Sequence, residues 1–145
     1  MTNDKNIEVL QDVAAKLIDS CKGYQMCADI VKDNSALKSE FMQRKTSRDL
    51  LVNEFQAKIA ALGGEIKDSG SATGALHRGY TKFLNVFKDD REAAADALDE
   101  GEEYLAEYIE NKRDKDGLTS ESLALLNKAH ASALEGERFA DFLDD

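Results

Sequence analysis

The chain has 145 residues, 42% of them hydrophobic and 33% charged, no proline, and a formal charge of −10. That length suits one domain with one core, and the missing proline suits long unbroken helices. The negative charge argues against nucleic acid or an anionic membrane as partner, because both require a basic face.

Most of the acid content reads as a solubilising surface. No stretch approaches 18 apolar residues, so no membrane span is expected. The start, MTNDKNIEVL, lacks a basic segment followed by an apolar one, so no signal peptide is expected and the location reads as cytoplasmic. Cys21 and Cys27 lie six apart, about 240° round a helix from each other, so they cannot bridge within it. Reduced, structural thiols are the expectation.

The first helix is predicted over 6–32. Leu10, Val13, Leu17, Cys21, Tyr24, Ala28 and Val31 recur at spacings of three and four. Gly23 interrupts it at about 1 kcal/mol relative to alanine, which suggests the close approach of a neighbour. Asp33, Asn34 and Ser35 form a turn with ready capping side chains. The second helix is predicted over 35–62 and ends at Gly63-Gly64. Its stripe is Leu37, Phe41, Val52, Phe55, Ile59 and Leu62, and the heptad through Phe41 and Phe55 also contains Arg48.

The connection from Gly63 to Asp89 has 27 residues. Ser69-Gly70-Ser71 reads as loop, and Ser71 or Thr73 as cap of a short helix within 72–87. Leu76, Tyr80, Phe83, Leu84 and Phe87 give that helix one apolar side. Asp89 with Glu92 resembles a capping box for a third long helix over 90–113, striped by Ala94, Leu98, Leu105 and Ile109. Glu102 falls on that stripe, while Glu100, Glu103, Glu107 and Glu110 give an acidic surface. Thr119 or Ser120 caps a fourth long helix over 119–143, with Leu123, Leu126, Ala133, Leu134 and Ala140 inward and His130 and Glu137 on the same face. The fold class is all-α. A connection this long carries the chain back along the whole bundle, which separates a ferritin-like four-helix bundle from a simple up-down one.

Leu62-Gly63-Gly64, the string GSATGALHRGY (70–80), EGEE (100–103) and KAH (128–130) together resemble one bacterial family. Its members are ferritin-like four-helix-bundle proteins carried as a domain of unknown function. The resemblance covers nearly the whole chain and implies that bundle, with no established activity. The family pattern favours tryptophan where this chain has Tyr80, and aspartate where it has Ala131 after the late histidine.

Arg48, Glu102 and His130 each lie near the middle of a predicted helix, so helices aligned in height would bring them into one polar layer beside Cys21 and Tyr24. A buried, hydrogen-bonded Arg–Glu–His network is the favoured reading. The guanidinium would repel a cation bound alongside. The sharper alternative is a metal on Glu102 and His130, with Cys21 or Glu137. Such mixed ligands suit zinc with one open position; iron is the metal of the ferritin-like fold. Working di-metal proteins of that fold use Glu-x-x-His pairs. Here Asn127 stands three residues before His130 and Gly74 three before His77, so no cofactor is expected.

His77 and Arg78 sit at the edge of the apolar side of the short helix and read as docking residues for the crossover. Nucleophilic catalysis lacks a Gly-x-Ser-x-Gly, and GSATG lacks the lysine and spacing of a phosphate loop. Two function classes remain. One is a non-enzymatic cytoplasmic stress-associated or interaction protein. The other is a metal-binding redox or storage protein. A homodimer that completes a site across its interface is a third possibility, and it would give His77 and the acidic face of the third long helix more weight.

Overall fold

The computed structural model describes residues 2–66, 70 and 75–143, so the expected loop and caps at Ser69, Ser71 and Thr73 lie outside the described residues. Five helices and no strand occur among them: α1 (Thr2–Ile30), α2 (Ser35–Ala61), α3 (Ala75–Val86), α4 (Arg91–Arg113) and α5 (Ser120–Asp141).

Helix ends follow from local chemistry. Asn34 accepts the Leu37 amide at 3.0 Å and so caps α2; a cap of this type contributes about 1 kcal/mol. Asp90, not Asp89, caps α4 through the Ala93 amide at 3.0 Å. The α4 cap thus sits one residue later than the expected capping box, because Asp90 is the residue left in extended backbone. Thr119 caps α5 through the Ser122 amide at 3.2 Å. Gly63 and Gly117 adopt φ of +90° and +86° just past the ends of α2 and α4, a conformation that suits glycine.

Side-chain bonds fix the helix directions. Gln11 reaches the Glu65 carbonyl at one end of α1, and Tyr24 packs on Phe41 (5.9 Å between ring centres) near the other, so α1 and α2 are antiparallel. Arg91 donates to the Leu143 carbonyl at 2.7 and 3.1 Å, and Arg113 bonds Asn127 at 3.1 Å, which makes α4 and α5 antiparallel too. Lys112 bonds Asp12, and Lys128 bonds Glu54, each at 2.8 Å. Hence α1 and α5 run one way, and α2 and α4 the other. The chain must therefore travel back between α2 and α4. It does so along α1, where Gly64 meets Ile7, Gly70 meets Asp19, and Tyr80 meets Gly23.

The short helix α3 wedges between α1 and α4. Gly79 and Gly101 let the two backbones close: a Cβ on Gly79 would lie 3.1 Å from the Ala97 carbonyl and 3.2 Å from Gly101 Cα. At the start of α1, fully buried Asn6 donates to the Gly117 carbonyl (3.1 Å) and accepts the Thr119 amide (3.0 Å). It ties α1 to the turn before α5.

The apolar interior forms two clusters. One gathers round Phe41, whose ring meets Phe83 at 5.5 Å and Phe139 at 5.1 Å, both near edge-on. The other holds Leu10, Leu17, Phe55, Ile59, Leu105 and Leu126. Buried Ser20, Arg48 and Glu102 belong to neither.

Candidate functional site

All five helices place a polar group in one layer between those clusters. Arg48 of α2 is 2% exposed and Glu102 of α4 is fully buried. Arg48 grips both carboxylate oxygens: Nη1 donates to Oε1 at 2.9 Å, and Nη2 donates to Oε2. The planar fork of arginine suits this two-point grip, which a lysine could not make. The other donors of Arg48 go to neighbouring helices. Nη1 donates to Ser20 Oγ of α1, Nη2 to the Ser132 carbonyl of α5 at 3.0 Å, and Nε to Ser132 Oγ at 3.0 Å. All five N–H groups of the guanidinium are thereby satisfied.

Glu102 is bonded at both oxygens. Tyr24 of α1 donates its hydroxyl to Oε1 at 2.7 Å. The Tyr80 hydroxyl of α3 bonds Oε1 and Ser20 Oγ, each at 3.2 Å. With two bonds from Arg48, four donors meet the carboxylate, three at Oε1 and one at Oε2. The guanidinium also lies 4.8 Å from the centre of the Tyr24 ring, within cation–π range. No buried side-chain nitrogen or oxygen among the described residues lacks a partner.

Small residues make the space. Glu102 lies against Gly136 of α5, where a Cβ would collide with the carboxylate. The Tyr80 ring lies flat on Gly23 in the same way, so the glycine that breaks the α1 stripe is the seat of α3.

A family model described as Domain of unknown function (DUF2383) matches residues 5–114. The chain belongs to that family. No match was found among curated proteins or among solved structures. The DUF2383 match takes in Ser20, Tyr24, Arg48, Tyr80 and Glu102 and stops short of α5, which supplies Ser132 and Gly136.

Other residues expected at this layer of the DUF2383 chain stand elsewhere. His130 does not join Arg48 and Glu102; its Nε2 lies 2.9 Å from Glu110 Oε1, a carboxylate about half exposed. The buried line of α5 runs through Ser122, Leu126, Ala129, Ala133, Gly136 and Ala140, one position before His130 and Glu137. Glu137 is half-buried beside a group of acids; burial, then Asp99 and Glu103, raise its pKa.

Cys21 lies under a surface groove of about 500 Å³ between α1 and α2, near the Lys45–Asp49 ion pair. Burial and the bonded Asp49 carboxylate push its thiol up to about 12, which makes it a poor nucleophile or metal ligand at neutral pH. Both cysteines are free thiols. His77 and Arg78 are exposed, contrary to the docking role expected of them. Leu76, Tyr80 and Phe83 dock α3 instead, because they project from its opposite side into the core. Among the described residues, no three His, Cys, Asp or Glu side chains converge to hold a metal ion.

Burial shapes the titration of the layer. It raises Tyr24 and Tyr80 well above the ordinary tyrosine value, and the Glu102 charge adds to the effect. Cys27 is raised for the same two reasons. Burial opposes the Arg48 cation, yet Glu102 and Tyr24 hold it protonated even more firmly than usual. The buried phenols and thiols keep their protons in the folded state after the unfolded chain has lost them. Unfolded cysteine ionises near 9 and tyrosine near 10, so stability is fully present below about pH 8 and falls above it. Each such group takes away about 1.4 kcal/mol per pH unit until its folded pKa is reached. Urea midpoints are expected to hold steady from pH 7 to 8 and to drop steeply from pH 9 to 10.5. A level profile across that range would show that these groups face solvent.

Proposed function

We propose that this chain is a ferritin-like four-helix bundle that acts as a non-enzymatic, cytoplasmic interaction protein, with its central polar layer serving as a structural latch. The opposed helix directions, and the return of the chain along α1 between α2 and α4, support the ferritin-like reading. One observation carries the latch. Every N–H of Arg48 and both carboxylate oxygens of Glu102 are committed to protein partners away from water. A general acid or base must reach a substrate proton, and a metal ion must reach its ligand and is repelled by a neighbouring cation. Glu102 is fully buried with the Arg48 guanidinium across both its oxygens, so it serves neither purpose without opening the layer. A buried network of this kind fixes the register of the helices that supply it.

Iron or zinc held by Glu102, His130, Cys21 and Glu137 is the competing reading. Elemental analysis of protein purified without chelator or nickel resin separates the two. His130→Ala and Glu137→Ala serve as companions, because both leave the latch intact. The latch reading predicts folded protein with far less than one iron, zinc or manganese per chain. Stoichiometric metal that disappears in those variants would overturn it.

A further inference from the structure

From Ala75 to Lys88 the chain contains no aspartate or glutamate, although the whole sequence carries 29 of them. The outer side of α3 exposes His77, Arg78, Thr81, Lys82 and Asn85 round a shallow hollow of about 400 Å³. Among the described residues, no ion pair joins Arg78 or Lys82 to a carboxylate. Next to this cationic strip, α4 exposes Asp96, Glu100, Glu103 and Glu107. The contact at Gly79 and Gly101 holds the two helices tightly together, so the strips lie side by side. Burial and then the neighbouring Asp141, Glu103, Asp96 and Glu100 raise the Asp99 carboxyl, a sign of negative charge crowded without enough counter-charge.

We propose that two copies of this chain associate through the α3–α4 face, with the Arg78 and Lys82 strip of each copy over the Glu100 and Glu103 strip of the other. A two-fold axis makes every such contact twice, because a patch with positive and negative strips side by side is complementary to its own rotated copy. Nucleic acid or an anionic membrane would meet the carboxylates of α4 at the same face and be repelled. Half-buried Val86 lines the same hollow and adds apolar area. The proposal rests on the interaction reading above and gives it a partner and a surface.

Light scattering on a sizing column, in low salt and at about 100 µM chain, tests it. The wild type is expected at twice the 16.0 kDa chain mass, shifting toward monomer as salt rises. Arg78→Glu/Lys82→Glu and, separately, Glu100→Lys/Glu103→Lys are each expected to be monomeric. An equal mixture of the two variants is expected to recover the dimer mass, because each then meets the opposite charge twice. A monomeric wild type, a dimer untouched by either charge reversal, or a mixture that stays monomeric would each overturn the proposal. A folded, metal-free monomer would remove the partner and leave the latch intact. Stoichiometric metal would remove the latch whatever the mass.

Discussion

Arg48→Met is expected to lower stability by ~3–5 kcal/mol, and Glu102→Gln by a similar amount, because either change leaves the partner charge buried and unpaired. The setting makes this a large effect. The side chains are 2% and 0% exposed, so water cannot replace the lost partner. The remaining neighbours do not compensate. Tyr24 and Tyr80 donate to Glu102 but bring no charge, and Ser20 and Ser132 accept from Arg48 without neutralising it. The surface pair Lys128–Glu54, 59% and 46% exposed at its side chains, supplies the contrast: Lys128→Ala is expected to change stability by under about 1 kcal/mol. Urea unfolding of the variants checks this, and an Arg48→Met cost as small as that of Lys128→Ala would mean that the charge pair is solvated.

Gly136→Ala is expected to destabilise the chain by ~1–3 kcal/mol, the range for forcing extra volume into a packed interior. In most helix interiors the same change gains about 1 kcal/mol. The sign inverts here because the new methyl would occupy the place of the Glu102 carboxylate, and that carboxylate cannot swing away without releasing Arg48 and two tyrosines. The effect is therefore conditional on Glu102. In a Glu102→Ala background, Gly136→Ala is expected to be stabilising. A stabilising Gly136→Ala in the otherwise unaltered chain would show that no carboxylate lies against α5.

The helices were legible because apolar residues recur at helical spacing and because Asn34, Thr119 and Gly63 mark ends with side chains or conformations that helices use. Arg48 and Glu102 were legible as charges standing on apolar stripes. Gly23 signalled a close neighbour, and the neighbour is the Tyr80 ring. The lining of α5 was not legible. Ala129 and Gly136 make its buried seam, but small residues carry little hydropathic signal, so Leu123 and Leu134 drew the face one position round and took His130 and Glu137 with it. Ser20 and Ser132 gave no signal either, since a serine suits a surface as well as a buried hydrogen bond. Tyr80 showed only its apolar ring. Its hydroxyl matters because α3 folds back against α1 and α4, a consequence of the long connection that no local pattern announces.

The measurement that bears most directly on the latch is the complete cycle Arg48→Met, Glu102→Leu and the double variant, followed by urea unfolding. A buried ion pair replaced by apolar residues of similar volume is often neutral or better, although here two tyrosine hydroxyls lose an acceptor. The double variant is therefore expected to be more stable than either single variant, with a coupling of at least ~2 kcal/mol between the sites. Losses that simply add would contradict the account, because they would mean that Arg48 and Glu102 act independently and that no shared layer joins the five helices.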